Sequence, residues 1–125
     1  MNPEPSVLIA CDNAWLAGSI RVLLQETARI GSVATCSLTN VVEAATSVMP
    51  DLIVALNGTS LQAHERELTR LRASQPEARI ILSIPMRQEG HEAHPLATHV
   101  DAVLDESQIS HELIATIDRL SEQVI

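Results

Sequence analysis

The groups in this chain that could do chemistry are few and scattered. Cys11-Asp12 closes an apolar run, Val7-Leu8-Ile9-Ala10, and Asp51 opens another, Leu52-Ile53-Val54-Ala55-Leu56. A carboxylate at the end of a buried run can hold a hard cation, but such an ion wants several oxygen ligands. Asp12 is followed only by the amide of Asn13. Ser60, His64 and Glu65 are hydrolase residue types, yet no G-x-S-x-G elbow is present. His91-x-x-His94, with Glu92 and His99, has a spacing that would suit metal ligands on a helix. Pro95 interrupts that stretch, and its polarity reads as a solvated loop. Neither G-x-G-x-x-G nor a P-loop occurs, so nucleotide binding by those routes is unsupported. The expectation is no catalytic residue, no metal and no cofactor.

What is missing is as informative. All eight basic residues are Arg; Lys, Phe and Tyr are absent, and Trp15 is the only aromatic. The net charge of −8 argues against direct nucleic-acid binding, which needs clustered cations. No apolar run approaches the length of a membrane span, and the opening MNPEPS lacks a basic n-region. A cytoplasmic protein without membrane association is expected. Cys11 and Cys36 lie in apolar segments and read as buried thiols, not a disulfide.

The elements that must position these groups follow from periodicity. Val7-Leu8-Ile9-Ala10 reads as a buried strand. Trp15, Leu16, Ile20, Leu23 and Leu24 recur at helical spacing, giving a helix that ends before Gly31, with Asn13 as a plausible cap. A second strand is expected over Ser32–Leu38 and a short helix from Asn40 to Met49, closed by Pro50. Leu52–Leu56 reads as a central strand, followed by turn residues Asn57-Gly58-Thr59-Ser60. A helix then carries Leu61, Leu68 and Leu71 inward, with Glu65, Arg66 and Arg70 outward. Arg79–Ile84 reads as the fourth strand, ended by Pro85. The polar stretch from Met86 to His99 is expected to hold a short or irregular helix. Val100–Leu104 reads as the fifth strand. A last helix from about Ser110 carries Leu113, Ile114, Ile117 and Leu120 on one face.

Five strands alternating with five helices in 125 residues imply one domain. The fold class is α/β, flavodoxin-like, with a doubly wound parallel sheet in the order 2-1-3-4-5. Function in such sheets sits at the carboxyl ends of the central strands. Those ends are Cys11-Asp12-Asn13, Leu56-Asn57, Ser83-Ile84 and Asp105-Glu106.

At this level the chain resembles a receiver domain of bacterial response regulators, of the kind that precedes LuxR/NarL-type DNA-binding domains. The likeness rests on Val7–Asn13, on Leu16–Leu24, on Pro50-Asp51-Leu52-Ile53-Val54, and on Leu68–Arg72 with Pro76–Ile81. The resemblance implies a CheY-like fold and a phosphoacceptor site. That chemistry needs a carboxylate nucleophile, an acidic pair for Mg²⁺ and a Lys that pairs with the phosphate. It also uses a hydroxyl after the fourth strand and a switch aromatic on the fifth.

Carried over position by position, most of these are missing. The acidic pair becomes Cys11-Asp12. The nucleophile falls on Leu56, or on Asn57 after a one-residue slip. The Lys position falls on Glu106, or on Asp105 if slipped. The aromatic position falls near Val103, and the hydroxyl survives at best as Ser83, with Ile84 in the ungapped register. Cys11, Asp12, Leu56, Asn57, Ser83 and Glu106 thus outline a vestigial phosphorylation pocket. Asp12 is expected to cap the first helix. Trp15 is expected to pack on top of the sheet or, alternatively, to contact a ligand or partner.

The reading is a pseudo-receiver: a regulatory module that works through protein contact without phosphorylation. The resemblance places a homodimer or partner contact on the fourth-helix, fifth-strand and fifth-helix face, which includes Pro95-Leu96-Ala97 and Val103. It also places a C-terminal DNA-binding domain in a longer regulator. Two alternatives stand beside it: a genuine phosphoacceptor using Asp12 or Asp51, and a small-ligand-binding flavodoxin-like domain.

Overall fold

In a computed structural model, the structure describes residues 5–27, 30–56, 61–84, 100–105 and 109–122. Five strands form one parallel sheet: β1 (Ser6–Cys11), β2 (Ser32–Cys36), β3 (Leu52–Leu56), β4 (Arg79–Ile84) and β5 (Ala102–Asp105), in the order β2-β1-β3-β4-β5. Four α-helices are described: α1 (Ala14–Thr27), α2 (Val41–Val48), α3 (Leu61–Ser74) and α4 (Ile109–Glu122). A 3-10 turn, Leu38–Asn40, precedes α2.

The central strand β3 is apolar at every position, and β1 and β4 are nearly so, because both faces of the sheet are covered. Every residue of β3 is buried. Alternate residues feed two cores. On one face Val7, Ile9 and Cys11 join Leu52, Val54 and Leu56, under Ala17, Ile20 and Leu24 of α1 and Leu113 and Ile117 of α4. On the other, Leu8, Ala10, Ile53, Ala55, Ile80 and Leu82 pack against Leu38, Val41 and Ala45, and against Leu68 and Leu71 of α3. Period-2 alternation in the strands and 3.6 periodicity in the helices therefore meet in two layers.

The amino end of the sheet is tied by polar contacts. The Ser6 amide donates to Asp51 Oδ2 (3.0 Å). The Asp51 amide donates back to the Ser6 carbonyl (3.0 Å), and the Arg79 amide donates to the Asp51 carbonyl (3.0 Å). Asp101 Oδ2 accepts from the Ile80 amide (2.7 Å) and from Arg72 Nη2 (2.8 Å). Arg72 Nη1 also donates to the carbonyls of Pro76 (3.2 Å) and Ala78 (3.0 Å), fastening the end of α3 to the start of β4.

Several expected boundaries shift. The second strand stops at Cys36 and does not reach Leu38, because the Leu38 amide turns away to donate to Asp12 Oδ1 (3.0 Å). The short helix spans Val41–Val48, with Asn40 in the 3-10 turn. Met49 takes a left-handed conformation (φ 55°) that returns its amide to the Ala45 carbonyl. The fifth strand runs from Ala102, not Val100, because Asp101 is engaged with Ile80 through both its amide and its carboxylate. The helix expected between Met86 and His99, the turn 57–60 and Pro85 lie outside the described residues.

Candidate functional site

The carboxyl edge of the sheet is assembled by register. Cys11 pairs with Leu56, Leu56 with Ser83, and Ser83 with Leu104. Neighbouring strands lie about 4.8 Å apart, so Cys11 and Ser83 flank Leu56 in one row roughly 10 Å across. Side chains in such a row point to the same face. The row is apolar except at Ser83. Leu56 is 1% exposed and belongs to the core beneath α1 and α4. A hydrocarbon there offers neither a nucleophile nor a charge.

Ser83 is fully buried (0% exposed), and among the described residues its hydroxyl has no hydrogen-bond partner. An orphaned buried hydroxyl is uncommon, since desolvation without compensation costs about 1–3 kcal/mol.

The Cys11-Asp12-Asn13 turn is built from local contacts. The Asn13 amide donates to Cys11 Sγ, and that thiol lies against the Asn13 carbonyl, both at 3.4 Å. Asn13 Oδ1 accepts from the Leu16 amide (3.1 Å), while its carbonyl accepts from the Ala17 amide (2.9 Å). Asn13 is therefore the N-cap of α1, a role worth about 1 kcal/mol. Asn13 thus fills the cap expected of it, whereas Asp12, expected in the same role, directs its carboxylate across the edge to the Leu38 amide, 26 residues on. The physical reason is that β2 lies beside β1, which brings the chain leaving Cys36 level with Asp12.

Cys36 was missed as a neighbour of this site. Its thiol is pushed up to about 11, first by burial and second by the Asp12 carboxylate. The thiol is thus held neutral at ordinary pH. The signal was present in the strand order: placing β2 next to β1 puts the end of each at one level. Cys36 pairs in register with Ala10 and packs on the α2/α3 side, whereas Cys11 faces α1 and α4. The two thiols lie on opposite faces of the sheet and form no disulfide.

Trp15 does not pack on the sheet. It is 80% exposed at the start of α1, because the helix buries Ala17, Ile20 and Leu24 on the opposite side. Asp51, at the entry to β3, lies at the other end of the sheet from Cys11, Leu56 and Ser83. Asn57, Glu106, Ser60, His91, His94, His99 and Pro95-Leu96-Ala97 lie outside the described residues, as do the side chains of His64, Val103 and Asp105. Among the described residues no group of three or more His, Cys, Asp or Glu is placed to hold a metal ion. Among them too, no helix is long and apolar enough to cross a membrane.

No protein-family profile and no curated protein sequence matches the chain. Solved structures do match. A protein described as pilus assembly-related, from Burkholderia pseudomallei, superposes with a TM-score of 0.83 at 14% identity, covering 100% of this chain and 95% of that one. A LuxR-family DNA-binding response regulator from Staphylococcus aureus gives 0.76 at 16% identity, covering 92% and 97%. A CheY-like protein (tadZ) from Pseudomonas aeruginosa gives 0.71 at 12% identity, covering 92% and 98%. At these identities the likeness establishes architecture. A parallel sheet between two helical layers is what these proteins share with the chain: it has the CheY-like fold of receiver domains.

Proposed function

We propose that this chain is a pseudo-receiver, a single cytoplasmic five-stranded CheY-like unit that regulates through protein contact without being phosphorylated. One observation carries the reading. The position matching the aspartyl nucleophile is Leu56, buried in the core and flanked in register by Cys11 and Ser83. Phosphoryl transfer at this edge needs a carboxylate and cationic groups to offset developing charge. The chain has no Lys anywhere, and Asp12 is engaged with the Leu38 amide. Asp51 opens β3 at the far end of the sheet and binds Ser6, which argues against it as a substitute acceptor.

A module of this kind signals by what it binds. The side of the sheet that carries β5 and α4 is proposed as one contact surface, by resemblance to receivers. A C-terminal DNA-binding domain in a longer protein fits the likeness to a LuxR-family regulator. The full-length superposition on a pilus assembly-related protein favours a second output, in which the module docks into a larger assembly.

The deciding experiment is light scattering on the eluting protein, with and without beryllofluoride or acetyl phosphate plus Mg²⁺, together with intact mass. The expected result is no change in assembly mass and no gain of about 80 Da, the mass of one phosphoryl group. A gain located on Asp12 or Asp51 overturns the proposal.

A further inference from the structure

We infer that a second copy of this chain docks on the outward side of α1, the two helices stacking antiparallel about a two-fold axis that passes Ser19 and runs parallel to the sheet. The inference rests on the reading of the chain as an interaction module, and it names the surface and the partner.

α1 gives one side to the sheet, where Ala17, Ile20 and Leu24 are buried. A surface helix ordinarily carries its charges on the opposite side. Here that side is apolar as well. Trp15 is 80% exposed and Val22 is 52% exposed. With Ser19 they recur at i, i+4 and i+7, which sets them in one stripe turned away from the sheet. Leu16 and Leu23, half-buried, border that stripe. From Ala14 to Gln25 the only charged residue is Arg21, which the helical period places off the stripe. Ser19 is small, and its hydroxyl already donates to the Trp15 carbonyl (3.1 Å), so covering it strands no polar group.

Three features specify a second copy as the occupant. Copies of a chain with net charge −8 repel, and an acid-free stripe is where they can approach. The stripe is also self-complementary. Turning α1 over about Ser19 lays Trp15 on the partner's Val22 and Leu16 on the partner's Leu23, with Ser19 against its own counterpart where the helices come closest. Finally, α1 has neither an acid in its first turn nor a base in its last, whereas each other described α-helix has at least one of these. An antiparallel copy sets each uncompensated end beside the opposite end of its mate. Glu26 of one copy then comes level with Asp12 of the other, so added salt is expected to tighten the pair. One helix stripe falls short of the roughly 800 Å² per partner of a standard interface, so the pair forms and dissociates with concentration.

The test uses the intact chain. Assembly mass is measured by light scattering across a concentration series at low and high salt, alongside the emission maximum of Trp15, the only Trp. The parent is expected to pass from 13.5 kDa to twice that mass, with a blue shift as Trp15 leaves water. Ser19→Glu sets two acids at the axis from an exposed position and favours helix, so the fold is retained, as circular dichroism checks. It is expected to stay a single copy with unshifted emission. Ser19→Cys is expected to cross-link to its counterpart under a mild thiol oxidant, whereas Arg21→Cys, off the stripe, and the parent are not. A single-copy parent at every concentration, a pair that loosens in salt, a two-copy mass in folded Ser19→Glu, or Arg21→Cys cross-linking as readily as Ser19→Cys overturns the interface. A response to beryllofluoride would instead count against the phosphorylation-independent reading, so the two failures are distinguishable.

Discussion

The sharpest single perturbation is Ser83→Ala. Ser83 stands between Leu56 and Leu104 in the row at the carboxyl edge, fully buried, with its hydroxyl unpartnered among the described residues. In water that hydroxyl is hydrogen-bonded, so burying it alone costs about 1–3 kcal/mol. Removing one oxygen leaves a small void whose cost is a few tenths of a kcal/mol by the scaling of cavity terms, roughly 24 cal/mol per Å³. The net expectation is a gain of about 1 kcal/mol. For a chain of 125 residues, an unfolding entropy of about 2.1 cal/mol/K per residue makes 1 kcal/mol worth roughly 4 °C in Tm. Urea and thermal melts of the pair supply the measurement. Ile81→Ala, two positions earlier on the same face, is the control and should lose about 2–5 kcal/mol. A loss of 1 kcal/mol or more in Ser83→Ala would refute the reasoning. It would mean that the hydroxyl is hydrogen-bonded in solution and that this edge holds a polar occupant.

Other consequences follow from the same contacts. Asp12→Ala removes the acceptor for the Leu38 amide and should cost about 1 kcal/mol, discounted because Asp12 is exposed, while Asp12→Asn should recover most of it in urea melts. Added Mg²⁺ should leave the Tm of the parent unchanged if that carboxylate serves the backbone; a rise of several degrees would contradict this. Cys36 has its thiol raised to about 11 in the folded chain against 9.0 for a free thiol. The unfolded chain therefore releases that proton first, and stability should fall as pH rises from 9 towards 11. A Cys36→Ser variant should show a shallower fall. Asp101→Ala breaks contacts to the Ile80 amide and Arg72 at once, and chemical denaturation should show a loss of about 1–2 kcal/mol. A change below 0.3 kcal/mol by the ~0.5 kcal/mol standard of surface substitutions would mark the cluster as energetically idle.

The proposed loss of phosphoryl chemistry follows from residue types at the carboxyl edge. A protein without a phosphorylation switch can still be regulated by concentration, since association through a modest interface is set by mass action.

Much of the architecture was legible before any coordinates, because hydrophobic periodicity encodes it directly. The short apolar run Leu52–Leu56, bounded by Pro50 and the turn residues from Asn57, reads as a strand covered on both faces, and Leu16, Ile20, Leu23 and Leu24 read as the buried stripe of a helix. The absence of Lys, Phe and Tyr is likewise a property of the chain at every register, so no folding detail can restore those groups. Other features depended on distance between residues remote in sequence. Nothing local to Asp12 says that its carboxylate meets the Leu38 amide, because that contact exists only once β2 lies beside β1. Trp15 was expected to pack because a large aromatic gains from burial. It stays in water because a helix has one face to give to the sheet, and Ala17, Ile20 and Leu24 occupy it. The ends of β2 and β5 shifted for a related reason: the Leu38 amide and the Asp101 groups bond to partners 26 and 21 residues away, and ladder pairing yields there. Residue type sets which elements form and which chemistry is excluded; only the packed sheet decides which polar groups meet and which remain alone, as Ser83 does.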